Sequence, residues 1–125
     1  MNNTDTVDTA NYITPQPSEL QDLWHYATAI VDGRHAAAEF GTGSLQGRLW
    51  RVDNARECID RIRIPSDNIL HPSWDDVTDH LRVDRIDTEA KLVLVGQKLL
   101  DLVNAECARQ GIEGRTGRPS HTDEA

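Results

Sequence analysis

The stretch from Asp87 to Gly111, DTEAKLVLVGQKLLDLVNAECARQG, contains no proline and repeats its apolar residues at helical spacing. At about 100° per residue, Leu92, Val93, Val95, Leu99, Leu100, Leu102, Val103 and Cys107 cover roughly half of a helix. Asp87 or Thr88 supplies an N-cap, and Gly111 a stop. An arc that wide needs neighbours on two sides to leave water, so the spacing predicts the central helix of a bundle. Helix-on-helix packing then follows for the rest of the chain, because no segment shows sustained period-two alternation. HLRVDRI alternates briefly, but the residues before it favour helix.

Three more helices are expected. PSELQDLWHYATAIVDG starts at a Ser18 cap, with Gln21 completing a capping box. Leu20, Leu23, Trp24, Ala27, Ile30 and Val31 share its inner face, with Gln21, His25, Thr28 and Asp32 opposite. Gly33 can end it, and RHAAAEF continues it, bent, to Phe40. Gly41, Gly43 and Gly47 make a loop without the Lys-Ser or Lys-Thr that a phosphate-binding loop requires. The second helix runs from Ser44 to Arg63, with Leu45, Leu49, Val52, Ala55, Ile59 and Ile62 on one face and Pro65 as its stop. A hairpin arm over Ser44 to Val52 is the alternative. Ile69 and Leu70 anchor the next loop, and a short third helix runs from Trp74 to Val83. The fold expected is an all-α compact bundle of four or five helices over residues 17–111. Residues 1–16 form a flexible arm and 112–125 a disordered tail.

Charge narrows the function. The net charge is −8, which disfavours general binding to phosphate backbones or membrane surfaces and suits a basic protein partner. Cys58 and Cys107 are too few for a disulfide framework and lie on or beside apolar faces, as small core residues do. No apolar run resembles a signal peptide or approaches the ~20 residues that span a bilayer, so a cytoplasmic protein is expected. Lysine appears only at Lys91 and Lys98 against eleven arginines, a bias that fits a GC-rich bacterial or phage genome.

HPSWDDVTDHLRVDR, residues 71–85, packs four aspartates and two histidines together. Capping explains most of it. Ser73 is an N-cap candidate, Asp75 and Asp76 favour the positive helix end, and Asp79 pairs with Arg82. Asp76 and His80 are spaced as helical metal ligands often are, but two ligands do not make a centre. A metal-dependent helical enzyme on Asp76 and His80 is therefore an alternative only, and no enzyme activity or cofactor is expected. Arg48, Arg51, Arg56, Arg61 and Arg63 give the second helix a basic character, balanced by Asp53, Glu57 and Asp60. A DNA-binding regulator using helix 44–63 is the other alternative.

Two apolar residues lie off the core stripes. Trp50 lies beside Asn54, Glu57 and Arg61, and Leu94 among Lys98 and Asp101. Tryptophan and arginine dominate interface hot spots. The expected partner-binding face comprises Trp50, Asp53, Glu57, Arg61, Asp79 and Leu94. The function this predicts is a small acidic protein–protein interaction or regulatory module. One concrete version is a phage or mobile-element inhibitor of a basic, nucleic-acid-handling host protein.

Overall fold

A computed structural model of the chain describes residues 15–62 and 74–119. Their order is α1 (Pro17–Val31), α2 (Gly33–Phe40), α3 (Leu45–Ile62), α4 (Trp74–Leu81) and α5 (Glu89–Gln110). The fold is a compact all-α bundle, and among the described residues there is no strand beyond one isolated bridge, Ile112 to Pro119. The stretch from Ser44 to Val52 is therefore not a hairpin arm: Ser44 lies in the loop and Leu45–Val52 belong to α3. The arm's residues 1–14, the loop anchors Ile69 and Leu70, and the Ser73 cap lie outside the described residues.

The first helix begins earlier than its sequence suggests. Pro17 occupies the first helical position, where its fixed φ and missing N–H carry no cost. Gln16, not Ser18, is the cap residue, and its N–H donates to Glu19 Oε1 at 2.9 Å. At the other end the chain breaks at Asp32 (φ −133°), whose carboxylate accepts the Arg34 N–H at 2.9 Å and starts α2 as a separate helix. Gly33 therefore opens α2. A Cβ on Gly33 would lie 3.0 Å from the Gly43 carbonyl oxygen, and one on Gly43 2.2 Å from that of Gly33. Two backbones cross there with no room for side chains.

The central helix is α1, not α5 as the width of the α5 arc predicts. Both α3 and α5 pack along α1 and scarcely touch each other. The arc on α5 does have two neighbours, α1 and the short α4. Its Leu92, Val95, Leu99, Leu102, Val103 and Cys107 are buried, while Val93 and Leu100 are only half-covered. The close approach of α1 and α5 needs Gly96, where a Cβ would meet Ile30 Cγ2 and Val31 Cγ1 at 2.7 Å. On α3, Val52, Ala55, Cys58, Ile59 and Ile62 are buried as expected, but Leu45, at the open end of the helix, is exposed.

The largest departure from the sequence reading is Arg48, which is 7% exposed. The last carbonyls of α1 have no partner within their own helix. Arg48 Nε and Nη2 donate to the Ile30 carbonyl at 3.1 and 2.8 Å, and Nη1 donates to Glu89 Oε2 at 3.1 Å. One guanidinium thus ties the end of α1 to the start of α5. At the opposite pole, buried Glu106 accepts from Arg109 and from Gln110 Nε2, which also donates to the Pro15 carbonyl. Residues 112–119 do not trail away. Gly111 takes a left-handed φ of 71°, and the chain folds into a turn closed by Glu113 N–H to Arg118 O at 2.8 Å. The rest of the expected tail, 120–125, lies outside the described residues.

Candidate functional site

A concavity of about 490 Å³ lies between α3, α4 and the linker to α5. Helical spacing sets its first wall: Trp50 and Asp53 lie three residues apart on α3, and Arg56 follows three later. Leu49 and Val52 lie beside them, toward the core. The second wall starts at Trp74, whose backbone N–H donates to Asp60 Oδ1 at 2.7 Å. That bond fastens the first turn of α4 to the last turn of α3 and holds the groove to its width. At its far end α4 stops when Arg82 takes a left-handed φ of 58°, and Val83 N–H closes on the Thr78 carbonyl at 2.9 Å. The turn sends Val83–Ile86 along the groove as its third side.

Trp50 is 54% exposed, the most exposed large apolar residue described, whereas Trp74 is buried, with 8% exposed. Around them stand Asp53, Asp75 and Asp84 with Arg56 and Arg85. None of these five makes an ion pair among the described residues. On α5 and its N-terminal flank, by contrast, Lys91 pairs with Asp87 at 2.9 Å.

Of the residues predicted to form a binding face, Trp50 and Asp53 line the groove. Glu57 is exposed outside its lining. Arg61 turns to the other side of α3, where Nε donates to Glu19 Oε2 at 3.4 Å. Asp79 is exposed on α4, one residue past the groove's Thr78, and Leu94 is 45% exposed on α5, outside the lining. The structure does not gather the six into one face. Sequence reasoning missed Trp74, Val83, Arg85 and Ile86. The available signal was a pair of apolar residues, Val83 and Ile86, flanking charges in a linker too short to bury them alone.

The arginines of α3 do not form one surface either. Arg48 is buried, the Arg51 guanidinium carbon lies 4.6 Å from the centre of the Phe40 ring, and Arg61 faces Glu19. Arg63 lies outside the described residues. Of the weak metal candidates, His80 is exposed, and nothing is described of the Asp76 side chain. The Asp79–Arg82 pairing expected from their spacing does not form, since Arg82 leaves the helix. Among the described residues no three His, Cys, Asp or Glu side chains converge as a metal site would require. Both thiols are buried; burial pushes each up to about 11, so they stay protonated near neutral pH. No described helix is long and apolar enough to cross a membrane. Compared with protein-family models, curated proteins and solved structures, the chain shows no match.

Proposed function

We propose that this chain is a small acidic protein–protein interaction module that takes an apolar-anchored segment of a basic partner into the α3–α4 groove. The observation that carries the reading is Trp50, more than half exposed on a groove whose charged rim makes no ion pair among the described residues. Burying a tryptophan anchor contributes about 2 kcal/mol or more to a complex. Three carboxylates against two guanidiniums on the rim, within a chain of net charge −8, favour a basic partner and make encounter salt-sensitive. The finer version is a phage or mobile-element inhibitor that presents carboxylates to a nucleic-acid-handling host protein where phosphates would lie. It draws its support from the charge.

The test is capture from cell lysate with the wild-type chain and with Trp50→Ala, quantified by mass spectrometry. A partner that is retained at low salt, released at high salt and bound at least tenfold less by Trp50→Ala supports the reading. Equal capture by the two chains contradicts it.

A further inference from the structure

Away from the groove, the elbow between α1 and α2 brings His25 and His35 together. His25 Nδ1 and His35 Nε2 are 3.1 Å apart. The ring centroids are 5.2 Å apart, and the ring planes differ by 16°. The difference between those two distances is nearly the sum of the two reaches from ring centre to nitrogen. The rings therefore meet nitrogen to nitrogen, close to coplanar, rather than face on face. This is an N–H···N hydrogen bond in which one facing nitrogen carries a proton and the other a lone pair. A shared metal ion does not fit it. Lone pairs aimed at each other leave no vertex ~2.0–2.1 Å from both nitrogens unless both rings turn.

Trp24 covers the pair, its indole edge-on to His25 at 5.1 Å and to His35 at 5.5 Å. The same indole receives the C-terminal turn: a Cβ on Gly114 would lie 2.6 Å from Trp24 Cδ1. The charged groups facing the histidines come from three elements. Glu39 of α2 has Oε1 3.5 Å from His25 Nδ1, Asp32 lies at the elbow, and Arg115 reaches in from the turn.

We propose that the His25–His35 pair is a pH-operated latch that holds residues 112–119 against α1 and releases them on acidification. One added proton leaves the hydrogen bond intact, because an imidazolium N–H still faces a neutral ring nitrogen. A second puts N–H groups on both facing nitrogens, and no hydrogen bond remains. Two cations then oppose each other and Arg115, with Glu39 and Asp32 as the offsetting carboxylates. The rings must part, and Trp24, wedged between them and Gly114, moves with them. Burial first, and then the charge of His25, hold the His35 pKa below its ordinary value. A base whose folded-state pKa is lowered contributes stability that is complete above the ordinary value and is lost as the pH falls through it. Release therefore lies on the acid side of about 6.5.

The experiment is an NMR titration of the full chain, following the histidine ring C–H signals, the Trp24 indole N–H and the amides of residues 113–117. The expected result is one midpoint, below about 6.5, shared by His35, the indole and the Gly114 and Arg115 amides, with the Leu99 amide unmoved. His35→Gln keeps a hydrogen-bonding group without a titrating one and should hold the turn in place at every pH. Gly114→Ala should displace the turn at neutral pH and raise the His35 midpoint toward its ordinary value. Turn amides that ignore the histidine titration would overturn the proposal. So would the same acid transition in His35→Gln, or an unmoved His35 midpoint in Gly114→Ala.

Discussion

Arg48 and Trp50 stand two residues apart on α3 and meet opposite surroundings. Arg48 belongs on any polarity scale at the surface, yet it is buried and gives hydrogen bonds to Ile30 and Glu89. Trp50 belongs in a core, yet it is half in water beside charges that make no ion pair among the described residues. The first inversion has a structural cause, because the end of α1 leaves carbonyls that need donors. The second has none among the described residues, whose core cluster does not include Trp50. A residue misplaced by its chemistry and unused by the fold is where an interaction is best sought.

Substitutions can break or sharpen that contrast, and they rank by size. Leu99→Ala, at a fully buried site on α5, should cost about 2–5 kcal/mol in chemical denaturation. Arg48→Met should cost about 1–3 kcal/mol, because it strips the Ile30 carbonyl of its donor. Glu89→Gln should cost under ~1 kcal/mol, since Glu89 is 65% exposed and water replaces the pair. If Glu89→Gln proves as costly as Arg48→Met, the ion pair rather than the helix-end carbonyl explains the buried arginine. On the groove side, Trp50→Ala and Asp75→Ala should each change stability by less than ~1 kcal/mol. A larger loss at Trp50 would make it a core residue and remove the contrast. The smallest effect belongs to chelator treatment, which should leave the melting temperature unchanged. A drop with loss of helical circular dichroism would turn attention back to Asp76 and His80.

Much of the bundle was legible because periodicity is local. The 3.6-residue repeat located α1, α3 and α5 to within a few residues and placed Trp50 and Leu94 off the core stripes. What escaped was set by partners distant in sequence. Arg48 is buried by a carbonyl 18 residues away and a carboxylate 41 residues on. The centrality of α1 depends on which helices flank it, and an apolar arc cannot report that. Arg61 reads as a neighbour of Trp50 along the helix, but Glu19 draws it to the far side. Residues 112–119 look like tail by composition, and their seat against Trp24 and Pro17 depends on residues distant in sequence.

Trp50 stands open in the free chain, and the proposed partner would cover it. Fluorine NMR of the 5-fluorotryptophan-labelled protein separates Trp24, Trp50 and Trp74, with Trp50→Phe assigning the signal. The solvent isotope shift between H₂O and D₂O reads exposure for each ring. The largest shift is expected for Trp50 and the smallest for Trp74 in the free monomer, with the Trp50 shift collapsing when a captured partner is added. A Trp50 signal as protected as that of Trp74 in the free monomer would contradict it.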